Sequence, residues 1–255
     1  MYPEIHIFSF FSLPTYLVFN SLLFCCLLVL VEKRSQHRQF SRKIALNLCL
    51  FIMLFGLLGA RLAHVIVEYP SLYWNHPSQI FRLWEGGYVF YGGAIFAFIS
   101  CMFYLRITRQ DWKLWLDFFS PVLHLGYGLG RIACFLAGCC YGKTCDLPWA
   151  IHLATEGPAA IARHPTQIYA SLWDLFLAAL LWHFERKNVF SKKPSVLFFL
   201  GLCLHSLGRI LMEQFRDDER GWNLFNLSFS TWISGILFCI AVLQIKKEYK
   251  KSLTS

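Results

Sequence analysis

Apolar residues in this chain gather in long runs separated by short polar connections. Seven such blocks cover 13–31, 44–67, 88–105, 114–140, 166–184, 195–213 and 228–245. A helix rises about 1.5 Å per residue, so roughly 20 apolar residues cross the hydrocarbon of a bilayer. The pattern predicts an all-α integral membrane protein with seven transmembrane helices, forming one membrane domain over 1–255. The connections at 68–87, 141–165 and 214–227 hold Pro70, Pro77, Pro148, Pro158 and Pro165 among polar residues, which predicts a small outer head of loops and short helices. Neither an internal repeat nor a low-complexity stretch interrupts the pattern. No Lys or Arg precedes the first block and no small-residue cleavage site follows it, so it reads as a retained span rather than a signal peptide.

Charge placement gives the orientation. Lys and Arg number five in 32–43, three in 106–113, four in 185–194 and four in 246–255. The alternate connections hold one, two and two, and none precedes the first block. Cytoplasmic connections collect basic residues, so the N-terminus is expected outside and the C-terminus in the cytoplasm. Composition agrees with a membrane setting: 56% of residues are hydrophobic and 15% are charged, against about 25% charged in soluble domains. A net charge of +9 raises the question of nucleic acid. The basic residues sit beside the apolar blocks, where they fix topology and meet anionic headgroups, and no nucleic-acid partner is expected.

Of ten cysteines, Cys25, Cys26, Cys49, Cys101, Cys203 and Cys239 lie inside apolar blocks and act as small hydrophobes. Cys134, Cys139, Cys140 and Cys145 cluster around the end of the fourth block without a CxxC spacing, which weakens a metal reading. Three readings stay open for them: packing of small side chains, a disulfide facing an oxidising exterior, or a thiol that takes part in chemistry.

Three basic residues fall within the blocks: Arg61, Arg131 and Arg209. A guanidinium at membrane depth costs several kcal/mol, about 3 at the least, unless it faces a bundle interior or a wet cavity. Arg131 flanks a stripe of small residues four apart (Gly126, Gly130, Cys134, Gly138) that allows close helix approach. Arg209, Glu213 and Arg216 share one helical face. A guanidinium fork can grip a phosphodiester through two parallel hydrogen bonds, and two such groups in one bundle suit a phospholipid headgroup. The bland alternatives are helix packing for Arg131, an intrahelical pair with Glu213 for Arg209, and a structural ion pair for Arg61.

The segments GLLGARL (56–62), WEGGYVFYGG (84–93), GRIACFLAGCCYGK (130–143), DLPWA (146–150), RHPTQIY (163–169) and GRILMEQFR (208–216) together resemble bacterial prolipoprotein diacylglyceryl transferases, in that family's order. The resemblance implies an enzyme of the bacterial cytoplasmic (inner) membrane. Its reaction moves the diacylglyceryl group of phosphatidylglycerol to the lipobox cysteine of a preprolipoprotein signal peptide, forms a thioether and releases glycerol phosphate. It implies catalytic roles for Arg131 and Arg209. It also places Arg61, Glu213, Arg216, His164, Gln167, Tyr16 and Gly142 at substrate-binding positions, with no metal or soluble cofactor. Where better-known members carry HGG, this chain has Tyr91-Gly92-Gly93, so the histidine proposed there as a base is absent and Tyr91 is the candidate to orient substrate or relay a proton. Cys134 and Cys139 replace Asn and Glu of the signature, and Ala170 replaces the acid that ends the RHPTQIY stretch. A relative with a different lipid-transfer role, or a transporter of a small anion, are the alternatives.

Overall fold

The structure, a computed structural model, describes residues 4–8, 11–82, 86–152, 161–217, 223–224 and 227–254. A long helix lies over each of the seven apolar blocks: α1 (Thr15–His37), α2 (Arg42–Ala63), α4 (Phe90–Ile107), α5 (Trp112–Ala137), α6 (Thr166–Arg186), α7 (Val196–Glu213) and α8 (Phe229–Thr254). Short elements fill the connections. They are α3 (Pro70–Asn75) and the paired strands β1 (Glu4–Phe8) with β2 (Phe11–Pro14), β3 (Ile151–His152) with β4 (Ala162–Arg163), and β5 (Asn223–Leu224) with β6 (Leu227–Ser228). Among the described residues, five helices are long and apolar enough to cross a membrane; these are α1, α2 with its extension to Glu68, α4, α7 and α8. The other two, α5 and α6, carry the polar residues His124, Arg131 and Asp174.

The chain divides into two compact units, residues 28–112 and residues 1–27 with 113–255. In the first unit α2 and α4 pack through glycines. A Cβ on Gly92 would stand 2.6 Å from the Gly59 carbonyl oxygen, and one on Gly93 would stand 2.7 Å from that of Gly56. The two backbones therefore touch, which is what small residues permit between membrane helices. Gly92→Ala should push the pair apart and lower stability by about 1–3 kcal/mol, read as a lower thermal midpoint in detergent; an unchanged midpoint would mean the contact is dispensable.

In the second unit the tightest backbone approach on α5 is not the predicted stripe but Gly128. A Cβ there would lie 3.1 Å from Ser171 O and Leu175 N of α6. Gly126 and Gly130 face α1 side chains instead, Leu27 and Asn20. Asp117 of α5 caps the start of α7, accepting from the amides of Ser195 at 2.6 Å and Phe198 at 2.8 Å. Those amides are among the donors that a helix N-terminus leaves unsatisfied. The far end of α8 is held by Lys113 against Glu248 at 2.5 Å.

Candidate active site

The second unit holds a line of polar side chains of which only Arg131 stood out in the sequence. Ser120, His124, Tyr127 and Arg131 fall four, three and four residues apart, so they occupy one face of α5. Asp174 of α6 is 2% exposed and its Oδ1 accepts from two imidazoles, His124 Nδ1 and His205 Nδ1, each at 2.8 Å. Buried without partners, that carboxylate would cost far more than its neighbours could repay, and two N–H donors meet the need. The Tyr127 ring stands edge-on to His205 of α7, with centroids 4.7 Å apart. The Tyr127 hydroxyl accepts a hydrogen bond from Arg131, whose guanidinium also lies 4.7 Å from the ring centroid.

One helical turn beyond His205 on α7 comes Arg209. Its Nη2 donates to Ser230 Oγ of α8 at 2.7 Å and approaches Glu213 Oε2 at 3.5 Å. Contacts thus run from Arg131 through Tyr127 to His205 and one turn along α7 to Arg209. The expected intrahelical pair with Glu213 is present, but the shorter bond ties Arg209 to another helix.

Past the end of α5 the chain forms a seam joining three helix ends. Gly142 N donates to His164 O at 3.1 Å, and Lys143 N donates to Phe215 O at 2.8 Å. A Cβ on Gly142 would lie 2.7 Å from the carbonyl oxygens of both His164 and Phe215, so this position must be glycine for the three strands of chain to meet. Thr166 Oγ1 donates to Cys140 O, and Gln167 Nε2 donates to Cys139 O at 2.6 Å. Gln167 Oε1 is buried with no hydrogen-bond partner among the described residues. His164 lies in the same seam, its Nδ1 3.3 Å from the Tyr169 hydroxyl and its ring against Phe215. Arg163 bonds Asp217 at 3.2 Å and stacks on Tyr141. Arg216 pairs its backbone with Gly142. Tyr16 stands in the first turn of α1.

The second unit therefore holds Arg131, Arg209, Glu213, Arg216, His164, Gln167, Tyr16 and Gly142, with Arg216, His164 and Gln167 bonded into the Gly142 seam. The cysteines are free, and the sulfurs of Cys134, Cys139 and Cys140 lie within 4.8 Å of one another, a donor set with affinity for a soft cation.

Arg61 and Tyr91 belong to the other unit. Arg61 is 5% exposed and its guanidinium donates to the carbonyls of Gln79, Ile80, Arg82, Gly86 and Gly87. Its bonds tie residues 79–82 and 86–87 to the end of α2, and a cavity of about 240 Å³ beside it is lined by His64, Tyr69, Tyr73 and Gly87 among others. His64 Nδ1 bonds the Tyr73 hydroxyl at 3.0 Å. Tyr91 stands in the first turn of α4, edge-on to Phe90. Glu85 and Trp84, part of the sequence motif there, lie outside the described residues.

Comparison with known proteins adds an independent finding. The family profile described as "Prolipoprotein diacylglyceryl transferase" matches residues 4–246. A Clostridium tetani protein named "Phosphatidylglycerol–prolipoprotein diacylglyceryl transferase" is 36% identical over 216 residues, 84% of each chain. A Bordetella avium protein of the same name is 34% identical over 209 residues, 81% of this chain and 78% of that one. A Desulfotalea psychrophila protein, again of that name, is 31% identical over 232 residues, 87% and 84% of the two chains.

Proposed function

Because the chain belongs to the prolipoprotein diacylglyceryl transferase family, we propose that it moves the diacylglyceryl group of phosphatidylglycerol onto the lipobox cysteine of preprolipoproteins. The observation that carries the assignment is the line from Arg131 through Tyr127 and His205 to Arg209 in the interior of one unit. Two guanidiniums so placed can hold a phosphodiester where water is scarce and charge attraction is strong. The sulfur attacks the glyceryl carbon, the carbon–oxygen bond breaks, and glycerol phosphate departs with a second negative charge. Cations fixed in advance stabilise that charge as it develops.

All seven long helices cross the bacterial cytoplasmic membrane in this reading, with the N-terminus outside and the basic tail 246–255 in the cytoplasm. The seam of 139–145, 162–169 and 214–217 then lies on the outer side, where a signal-peptide cysteine arrives. Gln167 offers its spare acceptor there, and Arg216, His164 and Tyr16 complete the surroundings of the thiol and headgroup. Arg61 serves the substrate indirectly, by holding residues 79–82 and 86–87 in place.

The deciding experiment incubates purified protein with phosphatidylglycerol and a lipobox peptide and weighs the peptide. A mass gain of one diacylglyceryl group supports the assignment, and an unmodified peptide overturns it. Tyr91 orients substrate in this reading. Tyr91→Phe removes one hydrogen bond, about 0.5–1.5 kcal/mol, so kcat/KM should fall by about tenfold or less. A much larger loss would make the phenol the proton acceptor.

A further inference from the structure

The substrate thiol must lose its proton before the sulfur can attack, and the chain lacks the histidine expected beside Gly92. We propose that His205 takes that proton, with Asp174 as the positioning residue that holds its imidazole; the assignment rests on the transferase reading above. Asp174 Oδ1 accepts from His205 Nδ1, which leaves Nε2 with the lone pair that can accept a proton. Carboxylate, imidazole and nucleophile in series is the arrangement that activates weak nucleophiles generally, and here the nucleophile arrives with the substrate.

Two imidazoles share this carboxylate, and their surroundings separate their roles. The His124 side chain is 11% exposed. A Cβ added at Gly201 would lie 2.6 Å from His124 Nε2 and 3.1 Å from Ser120 Oγ, so that nitrogen is walled in by α7. The His205 side chain is 22% exposed and stands between the two arginines, against Tyr127 on one side and one turn from Arg209 on the other. His205 is therefore the reachable base, and His124 completes the partners of Asp174. The charged and titratable groups around His205 are His124, Tyr127 and Arg131 from α5, Asp174 from α6, and Arg209 and Glu213 on α7 itself; α8 contributes Ser230, bonded to Arg209.

The step balances. The S–H proton passes to His205 Nε2, the sulfur electron pair forms the new C–S bond, and the C–O electron pair leaves on the phosphate. The imidazolium is held by the Asp174 carboxylate and returns its proton to the departing phosphate or to water. Nothing is oxidised or reduced.

The test is transfer to a lipobox peptide by purified full-length protein, measured across pH. His205→Gln, which keeps a donor for Asp174, should lower kcat by at least about 100-fold near neutral pH, with KM for phosphatidylglycerol within about twofold. Its residual rate should climb about tenfold per pH unit as free hydroxide takes over, and added imidazole should restore part of the activity of His205→Ala. In the wild type, diethyl pyrocarbonate should inactivate in step with carbethoxylation of the His205 peptide, which decides the matter even if the variants fail to insert. A His205→Gln enzyme with wild-type rate and pH profile, or a wild type active with His205 carbethoxylated, overturns this assignment alone. A wild type that never modifies the peptide overturns the transferase reading and this one with it.

Discussion

Arg131→Ala is expected to lower turnover of the lipobox peptide by about 10³-fold or more while the protein still inserts and folds. The guanidinium is fixed against Tyr127 by a hydrogen bond and by the ring face, so it costs little to organise when the leaving phosphate gains its charge. A flexible replacement cannot supply that: Arg131→Lys should recover only part of the rate, because an ammonium is a point charge without the planar fork. Mass measurement of the peptide under single-turnover conditions separates chemistry from binding. Full turnover by Arg131→Ala would remove the phosphate clamp from the mechanism.

Arg209→Ala should be comparably severe, by about 10³-fold, for a second reason as well. Glu213 sits one turn away with its carboxylate directed at Arg209. Removing the cation leaves a negative group facing an anionic substrate, which repels as well as failing to attract. The double change Arg209→Ala with Glu213→Gln should therefore regain about tenfold over Arg209→Ala alone, and the same rate in both would show that Glu213 does not face the phosphate. Ser230 loses its bond to Arg209 in either protein, so that contact cancels from the comparison.

The helices were legible because burial in lipid leaves a plain record: long apolar runs and basic connections. Arg131 and Arg209 stood out for a related reason, since a cation among apolar residues asks for an explanation, whereas Gly142 was marked only by the family resemblance. The polar cluster was not legible in the same way. His124 and His205 each sit alone in an apolar run, and a lone histidine says nothing of what another helix brings to it. The available signal was Asp174 in TQIYASLWDLF, an acid amid apolar residues with no basic residue three or four positions away. An isolated acid at that depth calls for partners from other helices. The five carbonyls around Arg61 come from a loop whose path no spacing rule describes, and the bond from Arg209 to Ser230 joins helices by packing alone.

The polar content of α5 and α6 also bears on how the protein is made. A segment carrying Asp117, His124 and Arg131, or Asp174, gains little by leaving the insertion machinery for lipid on its own. Its hydrogen-bonding groups find one another only once α5, α6 and α7 are side by side, with Asp117 seated on the start of α7. On the seven-span reading proposed above, α5, α6 and α7 are expected to leave the insertion machinery together, because the bonds of Asp174 to His124 and His205 are what satisfies these polar groups once they meet lipid.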